Sequence, residues 1–242
     1  MDRMPGHPPR TLPVLETALV RLRDHRADDL DAMRSVWGDA DGMRHLSTGV
    51  MDDTRIRRRL DEAVTTAAAV PRRHYQLAAC LHGDDRPVGG IRLDIEDATT
   101  GYSGVFTMAR HLRGSGCAPD IGWLMLKLAF AELGLTRVWS MTSVDNTDAV
   151  RAITRFGFTP TGETERYFAE ADTTMRLVTG RVRLRAAGWS RRDWVGRGAL
   201  AGRRSADPRG WYQLVGQTAG LVVRRAVISL ASCGPSSPQP SL

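Results

Sequence analysis

One short segment constrains the fold of this 242-residue chain more than any other, because it joins a strand to a helix through glycines. Between Leu112 and Phe130 it reads LRGSGCAPDIGWLMLKLAF. Free backbone N–H groups and the dipole at a helix start attract anions, and glycine lets phosphate oxygens approach the backbone. The segment therefore predicts a phosphate site that needs no lysine. It lacks the Gly-Lys-Ser/Thr of a nucleotide-triphosphate loop and the third glycine of a dinucleotide-binding fingerprint.

Hydrophobic periodicity on both sides of this segment predicts a sheet flanked by helices. Before it we predict a strand at 18–23, helices at 27–37 and 54–70, a hairpin of 75–81 and 88–95, and a sheet segment at 101–109. After it we predict a helix at 118–133, a strand at 136–142, a helix at 147–156, and strands at 158–167 and 174–184. The arginines at 55, 57, 58 and 59 are predicted to lie mostly on the solvent side of the second helix.

The two ends of the chain differ in composition from its centre. Residues 1–16 predict a flexible leader, residues 17–194 one folded domain, and residues 195–242 an Arg/Gly-rich, poorly ordered tail. The formal net charge is +7, but residues from Arg181 onward hold eleven Arg and two Asp, which leaves −2 for residues 1–180. Because the domain has no basic excess, its charge does not favour nucleic-acid binding.

Cysteine usage and apolar stretches bear on where the chain acts. Cys80, Cys117 and Cys233 form neither a disulfide framework nor a metal-ligand spacing, so we expect a reducing, cytoplasmic environment and no metal. The N-terminal residues lack the apolar core of a signal peptide. The stretch 214–230 is interrupted by Arg224 and Arg225, so we expect no membrane span there.

The segment RGSGCA at 113–118 resembles the Gln/Arg-x-x-Gly-x-Gly/Ala motif of the GNAT acetyltransferases. Asn146 lies eleven residues before Gly157, and Gly162 and Glu163 follow Phe158, as in the same family. The resemblance covers roughly residues 18–184 and extends to the branch that acetylates N-terminal alanines of ribosomal proteins. It implies an α/β fold with a mixed, largely antiparallel central sheet, a splayed parallel strand pair and flanking helices.

By this resemblance, the chain transfers an acetyl group from acetyl-CoA to a primary amine, which attacks directly within a ternary complex. The strands at 101–109 and 136–142 would separate to admit the pantetheine arm. The residues implied to bind acetyl-CoA are Met108, Arg113, Gly114, Ser115, Gly116, Cys117, Ala118 and Asn146.

Three positions depart from the family pattern. Ser103 stands where a glutamate is often found, and Ala149 and Ile153 stand where related enzymes carry Ser or Tyr. None of the three is an effective base or acid, so catalysis could rest mainly on proximity and orientation, which contribute up to ~7–11 kcal/mol in favourable cases. The remaining candidates for proton transfer are Asp120, Tyr167 and Ser143, with Asp94 or Glu96 as further carboxylates acting through water.

The sequence leaves the acceptor open. A small metabolite or antibiotic-like amine and a protein N-terminus are both compatible with it, and so are a monomer and a homodimer. The departures from the family pattern also favour an alternative, a catalytically weak acyl-CoA-binding module with a regulatory role. A third interpretation is an RNA-associated protein that binds through its arginine-rich tail, and it predicts salt-sensitive binding.

Overall fold

The structure is a computed structural model, and it describes residues 12–183. The tail predicted at 195–242 and most of the leader predicted at 1–16 lie outside the described residues. The strands are β1 (Leu15–Glu16), β2 (Val20–Asp24), β3 (His74–Leu81), β4 (Pro87–Ile95), β5 (Thr100–Met108), β6 (Arg137–Ser143), β7 (Thr159–Phe168) and β8 (Thr173–Arg183). The helices are α1 (Leu30–Trp37), α2 (Ala40–Met43), α3 (Asp53–Ala67), α4 (Cys117–Lys127) and α5 (Thr147–Arg155).

All eight strands form a single sheet in the order β1-β2-β3-β4-β5-β6-β8-β7. Every neighbouring pair is antiparallel except β5 and β6, which run parallel. β8 inserts between β6 and β7, although β7 precedes it in the chain. The mixed, largely antiparallel sheet with one parallel pair confirms the predicted fold class.

Helices cover both faces of the sheet, since successive strand residues point to opposite faces. On one face α4 buries Ile121 and Leu124 against strand residues such as Leu93 and Val138. On the other face α1 and α3 form a second apolar cluster around Met33, Val36, Trp37, Ile56 and Leu60. We refer to these as the α4 face and the α1/α3 face.

Several local features differ from the predictions. Leu15 and Glu16, expected in the leader, pair with β2, and Leu15 is buried in the core of the α4 face. α2 lies between the helices predicted at 27–37 and 54–70, where no element is predicted, and the Asp39 side chain accepts a hydrogen bond from the Asp41 N–H at its start. α3 begins at Asp53, one residue before the helix predicted at 54–70, because the Asp52 carboxylate caps it by accepting from the Arg55 N–H.

The end of α4 also departs from a regular helix. It continues as a π-helical turn, Leu128–Glu132, and the chain leaves it at Gly134 with a φ of 74°. Leu128, Ala129 and Phe130 in this turn are fully buried, so the wider turn keeps consecutive apolar residues in the core.

β7 forms one edge of the sheet and is exposed along almost its whole length. Its sequence, TPTGETERYF, carries Pro160 and the charged residues Glu163, Glu165 and Arg166. No helix among residues 12–183 is both long enough and apolar enough to cross a bilayer.

Candidate active site

The parallel pair β5 and β6 stays together over only part of its length. Hydrogen-bonded partners run from Thr100 opposite Arg137 to Ser103 opposite Ser140. The Ser140 hydroxyl donates to the Ser103 carbonyl oxygen at 2.9 Å, at the last paired position. β5 continues for five further residues to Met108 and β6 to Ser143, and these ends do not pair with each other. The two strands therefore separate and leave a wedge-shaped opening in the middle of the sheet.

A glycine loop and the N-terminus of α4 follow β5. Gly114 has a φ of 82° and Gly116, which precedes the first residue of α4, has a φ of 90°. Both lie in the left-handed region, where side chains are disfavoured. A Cβ on Gly114 would meet nothing within 4 Å, and one on Gly116 only Leu19 Cδ1 at 3.9 Å. The loop therefore presents backbone to open space, as a phosphate site requires.

Hydrogen bonding within the loop leaves donors available. The Arg113 N–H donates to Arg110 O and the Ser115 N–H to Leu112 O, whereas the N–H groups of Gly114 and Gly116 have no acceptor within residues 12–183. At the start of α4 the Cys117 N–H donates to Ser115 Oγ at 3.4 Å, whereas the Ala118 N–H has no acceptor within residues 12–183, as the geometry of a helix start allows. The Ser115 hydroxyl donates to Leu112 O at 2.6 Å, so it stabilises the loop itself.

The Arg113 side chain turns away from this loop. Its guanidinium contacts the carboxylates of Asp41 at 2.5 Å and Asp39 at 3.1 Å, both in or next to α2. These contacts hold the pKa of Asp41 below its usual range. Arg113 thus contributes its backbone to the loop and ties the loop to α2.

The other predicted cofactor residues lie around the opening. Met108 ends β5 opposite Gly89 and packs at the margin of the α4 core, while Cys117 is buried at the start of α4 beside Ala118. Asn146 caps α5, since its Oδ1 accepts from the Ala149 N–H at 3.1 Å. Its amide nitrogen donates to no group within the described part of the chain. The amide nitrogen is thus free to bind a ligand.

The structure does not bring the three proton-transfer candidates together. The Tyr167 hydroxyl donates to Asp172 Oδ1 at 2.7 Å, which raises the pKa of the phenol, and the side chain is 59% exposed. Ser143 is buried at the end of β6, and its hydroxyl accepts from the Asp145 N–H. The strand registers place the side chains of Ser143 and Thr164 on the same face of the sheet. Tyr167 lies three residues beyond Thr164 on β7, so its side chain lies on the other face.

Asp120 lies on the first turn of α4. Thr17 Oγ1 donates to its Oδ2 at 2.5 Å, and burial raises the pKa of the carboxyl group. The contact therefore joins α4 to the turn before β2. Asp94 and Glu96, the other carboxylates considered, also have partners. Asp94 accepts from Arg92 and contacts His74, and Glu96 accepts from the Trp139 indole N–H.

On the α1/α3 face, charged and aromatic side chains lie near Thr107, in the part of β5 that pairs with β4 but no longer with β6. The sequence analysis did not identify these side chains. The Arg59 guanidinium lies over the Trp37 ring, with its Cζ 5.5 Å from the ring centroid. Of the α3 arginines predicted to lie mostly on the solvent side, Arg57 and Arg58 are exposed, whereas Arg55 and Arg59 are half-buried. The i, i+4 spacing of 55 and 59, next to the buried Ile56 and Leu60, is the sequence signal that could have found them.

Within residues 12–183, no group of three or more His, Cys, Asp or Glu side chains is arranged to hold a metal ion.

Comparison with known proteins agrees with this geometry. Residues 20–159 match the family model described as the acetyltransferase (GNAT) domain. No curated protein sequence matches the chain significantly.

Solved structures share the fold. A GNAT-family acetyltransferase from Bacillus anthracis is similar with a TM-score of 0.61 and 17% identity, covering 71% of this chain and 98% of the other. Spermidine N-acetyltransferase from Vibrio cholerae, in complex with CoA and spermine, has a TM-score of 0.60 and 13% identity over 70% of this chain and 98% of its own. A putative ribosomal-protein-serine acetyltransferase from Vibrio cholerae has a TM-score of 0.57 and 13% identity over 70% and 97%.

The family model covers more than half of the chain, and the separated parallel strands, the glycine loop and the free start of α4 occur together at one place. The chain belongs to the GNAT family and is an N-acetyltransferase.

Proposed function

We propose that this protein transfers the acetyl group of acetyl-CoA to the primary amine of a small molecule by direct attack. The observation that carries the proposal is the coincidence of the opening between β5 and β6 with the glycine loop before α4. The opening fits an extended chain such as pantetheine, and the loop fits a pyrophosphate. GNAT enzymes use acetyl-CoA, and the donor residues proposed here are Met108, Arg113, Gly114, Ser115, Gly116, Cys117, Ala118 and Asn146.

Backbone groups perform most of the binding in this proposal. The free N–H groups of Gly114 and Gly116, with the dipole of α4, hold the pyrophosphate oxygens. The unpaired peptide groups of β5 up to Met108 hydrogen-bond the pantetheine arm in place of a strand, and the amide nitrogen of Asn146 donates from the opposite side of the opening. An N–H of the same β5 segment polarises the thioester carbonyl.

The reaction needs an uncharged amine. Its nitrogen forms a bond to the acetyl carbon while the carbon–sulfur bond breaks, and one proton passes from the amine to solvent as the CoA thiolate takes up another. Ser103, Ala149 and Ile153 supply neither base nor acid at the usual positions. Asp120, Tyr167 and Ser143 remain the proposed candidates for proton transfer, but all three are engaged in hydrogen bonds. Orientation within the opening is therefore proposed to supply most of the acceleration.

The surroundings of the reaction complete the proposal. Cys80 and Cys117 are free thiols, which is compatible with a cytoplasmic enzyme. A monomer or a homodimer would each present the site. The ternary complex is proposed to need no metal.

Calorimetric titration of acetyl-CoA into the full chain tests the cofactor proposal, and thiol release with a panel of primary amines tests the reaction. We expect micromolar binding and amine-dependent release of CoA. Absence of binding would overturn the proposed cofactor site. Binding without release for any amine would favour the acyl-CoA-binding module instead.

A further inference from the structure

The opening between β5 and β6 divides the sheet into two halves, because the two strands pair with each other only from Thr100 to Ser103 on β5. The first half consists of β1 to β5, with α1, α2 and α3 on one face, and the second half consists of β6 to β8. On the α1/α3 face the two halves meet again. There the segment 48–50, between α2 and α3, contacts the turn 169–172, between β7 and β8. We call these two segments together the strap.

The strap lies at the wide end of the opening, beyond the ends of β5 and β6. Met51, which follows its first segment, belongs to the same apolar cluster as Ala109, the residue after β5. Its second segment precedes Thr173, where β8 begins, and Leu177 of β8 pairs with Ser143 at the end of β6. The turn therefore lies beyond the end of β6, so the strap crosses from one half of the sheet to the other.

One side chain holds the two segments of the strap together. The half-buried guanidinium of Arg55, on the first turn of α3, donates to Thr48 O at 2.7 Å and to Val50 O at 3.1 Å. It also donates to Glu170 Oε2 at 3.1 Å. These contacts bind α3 to both segments, so Arg55 closes the strap.

The backbones of the two segments also approach each other closely. A Cβ at Gly49 would lie 3.2 Å from Ala171 Cβ, which is closer than ordinary van der Waals contact. Asp172, the next residue, has a φ of 46°, and the Tyr167 hydroxyl donates to its carboxylate. A left-handed conformation is uncommon for a residue other than glycine and persists where the surrounding structure holds it. The strap therefore leaves no gap at this place and is held in a defined conformation.

An aromatic pair closes the narrow end of the opening on the same face. Leu93 lies in the core of the α4 face and pairs with Ser103, so the preceding residue, Tyr102, points to the α1/α3 face. Trp139 pairs with Tyr102, and the centroids of the two rings are 4.5 Å apart. The indole N–H donates to Glu96 Oε2 at 2.8 Å, which fixes the orientation of the ring. The two rings thus stand one residue pair before the strands separate.

Between these two ends, the first position after the last paired residue of β5 is Gly104, which has no side chain. A Cβ there would lie 3.3 Å from Tyr102 Cε1 and 3.4 Å from Arg92 Cδ, so it would point to the α1/α3 face. The aromatic pair, the strap and the two strands therefore surround the opening on this face. We call this boundary the frame.

The frame lies on the path that we propose for the acceptor. The glycine loop and the start of α4, the proposed pyrophosphate site, lie at the α4 face. An amine that reaches the thioester from the opposite face therefore passes through the frame. Because the frame is closed, any substituent on the carbon that carries the amine has to fit within it together with the nitrogen.

We infer that the frame selects the acceptor by shape. It admits an amine at the end of an unbranched chain and disfavours one whose amine-bearing carbon is branched, as at the alanine N-terminus of a protein. This inference rests on the proposed function and assigns its small-molecule acceptor to a class. Arg55 and Glu170 are the specificity-determining residues, because together they hold the strap closed.

Two pairs of isomeric amines test this inference with the full chain and acetyl-CoA. 1-Aminobutane is compared with 2-aminobutane, and β-alaninamide with alaninamide, and the acetylated product is quantified by mass spectrometry. The members of each pair contain the same atoms and differ in the branch beside the nitrogen. We expect the unbranched isomer to be preferred in kcat/KM by about 10- to 200-fold, the range for one misplaced methylene group in a pocket.

Variants that open the strap identify the residues responsible. Arg55→Gln and Glu170→Ala are expected to remove most of this preference, mainly by raising kcat/KM for the branched isomer. A residue with only a structural role would instead lower kcat/KM for both isomers alike. Arg58→Gln and Glu165→Ala are the matched controls, since both residues are exposed and neither belongs to the strap. Unchanged acetyl-CoA affinity by calorimetry shows that each variant is folded.

A reversible disulfide provides a second measurement. Gly49→Cys with Ala171→Cys, in a Cys233→Ser background, joins positions whose Cβ atoms, 3.2 Å apart, lie slightly closer than the usual disulfide range of about 3.5–4.5 Å. The oxidised form has a permanently closed strap, and the reduced form of the same protein is its control. We expect the oxidised form to acetylate the unbranched isomer as fast as the reduced form does. If oxidation abolishes acetylation of both isomers while acetyl-CoA still binds, the acceptor enters only through an open strap, and the inference is wrong.

The outcomes separate this inference from the proposed function. If the branched isomer is preferred, or if Arg55→Gln and Glu170→Ala leave the ratio of the isomers unchanged, the inference is overturned and the proposed function stands. Failure to form product from any amine, with or without acetyl-CoA binding, would overturn the proposed function and this inference with it.

Discussion

The two faces of the sheet meet the opening between β5 and β6 in different ways. On the α4 face, the groups beside the opening that we propose bind the cofactor are backbone N–H groups, released by two glycines with positive φ and by the start of a helix. On the α1/α3 face, the charged group above the sheet is a side chain, a guanidinium from α3 over an indole from α1. The first arrangement depends on backbone conformation, and the second depends on the identity of individual side chains.

The largest effect that separates the faces is expected at Gly116. Gly116→Trp places a large side chain where pyrophosphate would lie, so acetyl-CoA affinity should fall at least about a thousandfold, or ~4 kcal/mol. Calorimetric titration of acetyl-CoA into the variant and the wild type measures this loss of affinity.

Gly83→Trp is the matched control. Gly83 has a φ of 84° in the turn between β3 and β4, and a Cβ there would meet nothing within 4 Å. Both substitutions carry the left-handed backbone cost of roughly 1–2 kcal/mol, but only the one at Gly116 should affect binding. Equal loss in both variants would mean that strain, and not occlusion of the loop, is responsible.

The next largest effect is on stability and concerns a carboxylate on the α1/α3 face. Asp29 contacts Arg23 at 2.7 Å and is buried at the start of α1. Burial alone would raise its pKa, but the hydrogen bonds from Arg23 and from the Arg26 N–H outweigh burial and hold the pKa below its usual range. Asp29→Asn removes one partner of a buried ion pair and should lower the free energy of unfolding by about 3 kcal/mol near neutral pH.

Denaturant unfolding as a function of pH checks this prediction. Because the folded-state pKa of Asp29 is lower than the unfolded one, its stabilisation is complete above about pH 4 and is lost as the pH falls through the folded value. The wild type and Asp29→Asn should therefore become more alike in acid. A difference that stays constant with pH would contradict the ion-pair explanation.

For Asp120 on the α4 face, the change of stability with pH should have the opposite sign and should be smaller. Burial raises its pKa, so the ionised form destabilises the folded state, and this cost appears as the pH rises from the unfolded value through the folded one. Asp120→Asn keeps an acceptor for Thr17 and should be at least as stable as the wild type at neutral pH. Unfolding curves measure stability, and thiol release with the best amine decides whether Asp120 also transfers protons.

The smallest effect is expected at Arg113. Its guanidinium is half-exposed and pairs with Asp39 and Asp41, and exposed ion pairs contribute about 0–1 kcal/mol. Arg113→Gln should therefore change acetyl-CoA affinity by no more than about threefold by calorimetry. A hundredfold loss would mean that the side chain leaves α2 and contacts the phosphates, which would shift part of the α4-face binding from backbone to side chain.

The sequence predicted the fold well, and it also contained the glycine loop before α4, for a physical reason. Gly114 and Gly116 are needed by the backbone itself, and the apolar pattern of α4 depends only on local periodicity, so both are visible in a single sequence. The observed sheet confirms the fold class that the family motif implied. No local sequence pattern, however, specifies that β8 lies between β6 and β7.

The α1/α3 face was harder to predict, because its properties arise from pairing across the fold. The i, i+4 spacing of Arg55 and Arg59 separates them from Arg57 and Arg58, but it does not show which groups they meet. Arg55 contacts Glu170, 115 positions away in the chain, and Arg59 lies over the Trp37 indole. These partners become visible only in three dimensions. Tyr167 was likewise considered for catalysis before its partner, Asp172, could be seen.

The edge strand β7 has a consequence for the colloidal behaviour of the protein. An exposed strand of ten residues offers unpaired backbone groups to a second molecule and could nucleate aggregates. Pro160 removes one donor, and Glu163, Glu165 and Arg166 place charge along the edge, both of which oppose intermolecular strand addition. Because β1 at the opposite edge has only two residues, neither edge of the sheet readily extends into a fibril. Substitutions that make β7 more apolar would thus be expected to limit solubility before they affect catalysis.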